Sequence, residues 1–262
     1  PRRALRLPRR ARLAPGHTTR RQPGGIVTPT GNEIREVSDI AGLTAVGDLL
    51  AQVWGTPSPL VPLELARAIA HSGGYVAAAF APSGSMVGAS VGILARQRDA
   101  PALHSHVTGL LPAARHAGIG RALKLHQRAW AAARGIDWIT WTFDPLVRRN
   151  AWFNIAVLGA EVDEYLPAFY GEMTDAINLG DDSDRLHVAW SVSAPLPERP
   201  RDGRDADGIA LVPTPEDVVD LRRRDPAAVA RWRRSTREAL LDALGAGHRV
   251  VGFTRDGNYV IG

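Results

Sequence analysis

Apolar and polar positions alternate over residues 33–37, which predicts a first strand. Directly after it, Ile40, Leu43, Val46, Leu49, Leu50 and Val53 recur at helical spacing, with Ser38 or Asp39 placed to cap the helix. Gly55-Thr56-Pro57-Ser58-Pro59 breaks that helix, and residues 63–71 predict a second one ending at Gly73-Gly74. Residues 75–81 and 86–94 flank Pro82-Ser83-Gly84-Ser85, a hairpin signature. A longer strand follows over residues 103–111, then an amphipathic helix over 119–134 stopped by Gly135. Residues 137–143 carry Trp138, Ile139, Thr140, Trp141, Thr142 and Phe143, the composition of a buried parallel strand. A helix over 148–158 closed by Gly159 and a strand over 185–192 complete the series. The order β-α-α-β-β-β-α-β-α-β predicts an α/β fold, a mixed sheet with helices on its faces.

Residues 193–208 are rich in Pro, Gly and charge and predict a linker between a main unit over 26–192 and an appendage over 209–262. Residues 209–212, 215–223 and 227–244 and a hairpin around Asp256-Gly257 predict a small α/β appendage. Completing the sheet, covering a substrate cleft and forming a homodimer are all roles open to it. Arg222, Arg223 and Arg224 with Arg231, Arg233, Arg234 and Arg237 predict a solvated helix face offset by nearby acids.

Charge changes the picture in one place. Residues 1–22 hold eight Arg and no acid; the other 24 Lys and Arg face 27 Asp and Glu, a net of −3 for residues 23–262. A basic body would point to nucleic acid, and this one is mildly acidic, so no nucleic-acid partner is expected. The Arg-rich stretch lacks the apolar centre of a secretory signal and predicts a solvated, disordered extension over residues 1–25. No run approaches the ~18 apolar residues of a membrane span, so no membrane partner is expected either. With no Cys, disulfides, thiolate metal sites and a cysteine nucleophile are excluded, and a cytoplasmic location is the default.

Candidate chemistry concentrates after the strand at residues 103–111. Pro112 marks the exit, and Arg115-His116-Ala117-Gly118-Ile119-Gly120-Arg121 runs without a break into the helix. An Arg-x-x-Gly-x-Gly loop there presents consecutive backbone N–H groups at the positive end of a helix dipole, which suits a pyrophosphate. Glycine keeps Cβ atoms from holding the phosphate away. The nucleotide phosphate loop needs a Lys after its second glycine, and none follows Gly120. The dinucleotide fingerprint needs a small residue where Leu123 stands. A tight strand-to-helix turn without a ligand is the plain alternative.

Strand, proline, Arg115, Gly118, Gly120 and helix, in that order, resemble the coenzyme A loop of the GNAT acyltransferase superfamily. Trp141-Thr142-Phe143-Asp144-Pro145-Leu146, Arg149-Asn150-Ala151-Trp152-Phe153-Asn154, Leu158-Gly159-Ala160, Tyr170-Gly171 and Thr174-Asp175 extend the likeness, which spans roughly residues 33–260. The resemblance implies an N-acyltransferase, most simply an N-acetyltransferase, with acetyl-CoA or another acyl-CoA as co-substrate. It would act by direct attack of a small-molecule amine in a ternary complex. N-succinyl transfer to amino acids and a non-catalytic acyl-CoA-binding module are the alternatives. The resemblance puts the diphosphate at Arg115, His116, Ala117, Gly118, Ile119, Gly120 and Arg121. It puts the pantetheine arm on the backbone of Gly109, Leu110 and Leu111, with an amide near Leu110 as oxyanion donor and contacts from Asn150 and Asn154. Two departures stand out: Ala160 replaces the usual Phe, and Ile155 replaces the usual general-acid Tyr, leaving Tyr165 and Tyr170 as the nearest substitutes.

For the base, alternation puts His104, His106 and Thr108 on one strand face, with His106 foremost. Asp144, at the carboxyl end of its strand, is a second candidate, as an ammonium anchor or base; a turn aspartate before Pro145 is its plain reading. His126 falls on the apolar stripe of Ile119, Leu123 and Trp130 and reads as structural. The two histidines and Asp144 match no metal-ligand spacing, so no metal is expected. There is no Gly-x-Ser-x-Gly elbow for serine hydrolysis.

Overall fold

The computed structural model describes residues 25–115, 117–171, 173 and 181–262. β1 (Ile26–Val27) and β2 (Glu33–Glu36) lead into α1 (Ile40–Trp54), which Asp39 caps by accepting from the Gly42 amide at 2.9 Å. Such a cap is worth ~1 kcal/mol. Then come α2 (Leu63–His71), β3 (Tyr75–Phe80), β4 (Met86–Gln97), β5 (Ala100–Leu110), α3 (Ile119–Ala132) and β6 (Trp138–Phe143), in the expected order. The helix expected over 148–158 is split: α4 (Arg148–Ala151) continues as a π-helix over Trp152–Val157, closed by Gly159 at φ 71°.

Eight strands form one sheet in the order β1-β2-β3-β4-β5-β6-β8-β7. β7 (Glu161–Leu166) is not predicted from the pattern, whereas β8 (Arg185–Ser191) is. A bulge between Val162 and Glu164 breaks β7's alternation, and its acidic side chains suit an edge strand. Among the described residues only β5 and β6 pair in parallel; β6 is antiparallel to its other neighbour, β8. α1 buries Leu43, Val46 and Leu50, and α2 Ala66 and Ile69, in one cluster with Val76, Val91 and Val107 on one face. α3 covers the other face with Leu123 and Trp130. His126 is structural as expected, its Nδ1 2.8 Å from the buried Tyr75 hydroxyl.

The segment read as a linker is tied into the fold. The Arg201 amide donates to the Ala156 carbonyl at 3.0 Å, and a Cβ on Gly203 would fall 2.8 Å from the Phe253 backbone. Beyond it lie β9 (Ala210–Pro213), α5 (Val218–Arg224), α6 (Pro226–Gly245), β10 (Val250–Phe253) and β11 (Asn258–Ile261), with the strands in the order β10-β11-β9. Leu240, Phe253 and Tyr259 share one buried cluster with Tyr165, Leu186 and Trp190 of the large sheet.

The arginine face is not uniformly solvated. Arg223, Arg224 and Arg231 are exposed, but the side chains of Arg222 and Arg233 are only 6% and 3% exposed. Both pair with Asp144 and Asp181. A guanidinium that cannot lose its proton is buried only against carboxylates, and here those carboxylates come from the main sheet's side of the contact.

Candidate functional site

β5 and β6 share three parallel pairs, Ala102–Trp138, Leu103–Ile139 and His104–Thr140, and then part. β5 runs on to Leu110 with only β4 beside it. The Leu111 amide donates to the Val87 carbonyl at 3.0 Å, so antiparallel alternation turns the N–H and C=O of Thr108 and Leu110 away from β4, towards the gap. Gly109 and Leu111 face β4 instead, and the Leu111 carbonyl also accepts from Ala114. The backbone edge expected from Gly109, Leu110 and Leu111 is therefore Leu110 with Thr108. Gly109 instead lets α1 approach the strand, since a Cβ there would lie 2.6 Å from the Trp54 ring.

α3 begins beside that edge. Gly118, at φ 74°, occupies the cap position in a conformation that side chains disfavour. Among the described residues, nothing accepts from the amides of Ile119, Gly120 or Arg121, the unpaired donors of a helix start. A Cβ on Gly118 would meet nothing within 4 Å, and one on Gly120 would meet only Leu110 Cδ1 at 3.5 Å. The amides thus open onto unoccupied space at a helix start, the setting in which a phosphate is bound. Ile119 and Ala117 pack with Ala114 and Leu123 and hold the loop down. Arg115 and Arg121 are exposed beside it, and His116 lies outside the described residues. On the α4 side, Asn150 is exposed and Asn154 is buried in the π-helix, a wide turn that recurs at functional sites.

The three strand side chains do not share a face. A bulge sets His106 outside the ladder, because Val91 pairs with Val107 and Gly92 with Ser105. Thr108 lies on the α3 side, its Oγ1 2.8 Å from Ser90 Oγ, which accepts from Gln127 of α3 at 3.4 Å. His104 lies on the other side, its Nδ1 3.1 Å from Thr140 Oγ1. Burial, then the charges of His106, His187 and Lys124, lower the His104 pKa to about 4. His106 is exposed at its edge yet set among groups that desolvate the ring, which lowers its pKa as well. Both are neutral at pH 7, and His106 is the one within reach of solvent.

Two expected catalytic residues are occupied elsewhere. Asp144 is buried and accepts from Arg233 Nη1 at 2.6 Å, from the Leu146 amide at 2.9 Å, and from Arg222. Burial alone would raise its pKa; Arg233, then Arg222 and the Leu146 amide, hold it below the usual carboxylate range. Both of its oxygens are thus engaged by protein donors. The Tyr165 hydroxyl is buried and donates to Asp184 at 2.5 Å, and burial together with that carboxylate drives its pKa far up. It is held as a structural donor. Tyr170 is exposed, its hydroxyl 3.1 Å from Thr142 Oγ1.

One residue that pattern-reading passes over sits at the fork. Lys124 of α3 is 5% exposed, and its Nζ donates to Ser105 Oγ at 2.8 Å and Gln127 Oε1 at 3.4 Å. The same Nζ lies 3.8 Å from the Trp141 ring centroid. Composition held a signal, since Lys124 is the sole lysine beside 31 arginines. Among the described residues there is no group of His, Asp and Glu able to hold a metal, and no helix long and apolar enough to cross a membrane.

No protein-family model and no curated protein matches the chain. Solved structures do. A GNAT superfamily phosphinothricin acetyltransferase from Sinorhizobium meliloti, solved with AcCoA, is 20% identical, with a TM-score of 0.50 over 67% of this chain and 96% of that one. The aminoglycoside 6'-N-acetyltransferase of Enterococcus faecium is 18% identical, with a TM-score of 0.46 over 63% of this chain and 99% of that one. The first likeness is one of fold: the chain has the mixed α/β fold of the GNAT acyltransferases.

Proposed function

We propose that this chain is an acyl-CoA-dependent N-acyltransferase, most simply an N-acetyltransferase, whose acceptor is a small-molecule amine. One observation carries the reading: the amides of Ile119, Gly120 and Arg121, unpaired among the described residues, stand next to the backbone edge of Thr108 and Leu110, likewise unpaired among them. Together they match a ligand with a diphosphate followed by an extended amide-bearing arm, which is coenzyme A. From Leu110 back to Ser105 the edge runs about 17 Å at strand rise. An arm lying along it ends at the fork, where β5 and β6 part.

The residues divide the work as follows. Gly118 sets the loop's left-handed turn, and Arg115 and Arg121 add positive charge near the diphosphate. The N–H and C=O groups of Thr108 and Leu110 pair with the amides of the arm, which puts the thioester beyond them, towards the fork. His106, neutral at pH 7, takes the proton from the incoming ammonium, directly or through water. Asn150 and Asn154 flank the arm from the α4 side. With no Cys in the chain, attack by the amine on the bound thioester needs no cysteinyl intermediate.

Calorimetry with coenzyme A, followed by thiol release from acetyl-CoA and succinyl-CoA over a panel of amines, tests this. Saturable binding and amine-dependent thiol release are expected, and the better donor decides between acetyl and succinyl transfer. Binding with no turnover over a broad panel would favour the second reading, a non-catalytic acyl-CoA-binding module. The observation behind that reading is Ile155 at the acid position, with Tyr165 committed to Asp184. Absence of binding would reject both.

A further inference from the structure

We infer that Lys124, acting through Ser105, supplies the proton taken up by the departing coenzyme A thiolate. The inference rests on the acyl-transfer reading above and fills a role that Tyr165 and Ile155 cannot perform. It starts from the fork. His104 and Thr140 are the last parallel pair, so Ser105 and Trp141 are the first residues of β5 and β6 beyond it. Their side chains converge on one atom, Lys124 Nζ, at 2.8 Å from Ser105 Oγ and 3.8 Å from the Trp141 ring.

The choice of residue matters. The chain uses arginine at 31 positions and lysine at one, and that one is buried where an extended arm along β5 would end. Arginine does not give up a proton in proteins, while a desolvated lysine does so readily. Lys124 forms no ion pair among the described residues; it faces Ser105, Gln127 and the Trp141 ring, and His104 is the titratable group that feels its charge. Burial lowers its pKa to about 7, so both protonation states are populated near neutrality. A buried ammonium without a carboxylate costs stability, and holding a movable proton at the fork is a use that accounts for it.

The proton balance is complete. The acceptor nitrogen bonds to the acyl carbon, and the carbon–sulfur bond breaks with its electron pair on sulfur. Ser105 Oγ–H gives its proton to that sulfur, and the Lys124 ammonium restores the hydroxyl. The acceptor nitrogen sheds two protons, one before attack and one as the adduct collapses; both leave through His106 and water, and one is returned by solvent to recharge Lys124. The net change is thioester plus ammonium to amide, thiol and one proton. Lys124 is a positioning residue here, because Ser105 makes the contact.

Being the only lysine, Lys124 gives a single signal when the full chain is labelled with 13Cε,15Nζ-lysine. A pH titration should show its midpoint well below the ordinary 10.4, and coenzyme A should move that signal. The ultraviolet thiolate band of bound coenzyme A should appear at lower pH in the wild type than in Lys124→Met, whose binding by calorimetry stays within about threefold. With acetyl-CoA, kcat of Lys124→Met and Ser105→Ala should fall about 10²–10⁴-fold with KM little changed. Lys124→Arg should lose the alkaline limb near pH 7. A lysine signal blind to coenzyme A while binding is intact, an unchanged pH profile in Lys124→Met, or an acylated Lys124 by intact mass would each overturn the inference alone. Absence of coenzyme A binding to the wild type would overturn the acyl-transfer reading with it.

Discussion

Asp144 and Arg233 are 89 residues apart in sequence, and Arg233 Nη1 lies 2.6 Å from Asp144 Oδ1 with both side chains buried. This pair, with Arg222 and Asp181, joins the end of β6 to the two C-terminal helices. Asp144→Asn leaves two buried guanidiniums short of countercharge, and breaking such a pair costs about 3–5 kcal/mol. Denaturant unfolding should register that loss. A variant with wild-type stability and no activity would return Asp144 to the acceptor site.

Acid should act on the same contact. Asp144 and Asp184 both have pKa values held down in the folded chain, so their stabilisation is complete above the ordinary carboxylate pKa near 3.9 and is lost as pH falls through the lower folded values. Thermal unfolding between pH 6 and 3 should show the midpoint falling steeply below pH 4. In Asp144→Asn that acid-side slope should be shallower.

Lys124 runs the other way. Its folded pKa of about 7 lies below the unfolded 10.4. The unfolded chain therefore holds the extra proton between those values, and stability rises with pH across them. Lys124→Met removes that slope, so its stability relative to wild type should be greatest at pH 6 and should shrink by pH 10. A difference that stays constant with pH would show that Lys124 is not depressed.

Gly120→Glu tests the phosphate site without strain on the fold, because a Cβ there meets only Leu110 at ordinary contact distance. Its carboxylate would occupy the amides meant for the diphosphate. Coenzyme A affinity should drop at least 100-fold by calorimetry with circular dichroism unchanged; retained affinity would reject the loop as the binding site.

His106→Gln should lower kcat by about 10²-fold or more and abolish the acid-side limb of the pH profile, which in the wild type lies below the ordinary His range. His104→Gln should cost under about tenfold, since His104 is turned away and already neutral. Equal losses in both variants would mean that neither is the base.

Most of the large sheet was legible because its elements are local. Residues 63–71 and the start of α3 at Ile119 coincide with the pattern, and Asp39 caps α1 as the cap rule requires. What escaped was long-range or irregular. The bulge at His106 shifts one strand by one residue and so separates His104 from Thr108, which alternation alone puts together. The short helix carrying Arg222 looked solvated because its partners, Asp144 and Asp181, are far away in sequence. Lys124 lies on a helix whose pattern shows only an apolar stripe, and the fork between β5 and β6 gives its position meaning.

The central claim is tested most directly by titrating coenzyme A into the 15N-labelled full chain and following individual amides by NMR. The amides of Ile119, Gly120, Arg121, Thr108 and Leu110 should shift together and saturate with one dissociation constant, while those of Gly109 and Leu111, bonded to β4, move little. Saturable shifts confined to other parts of the chain, or none at all, would contradict the account.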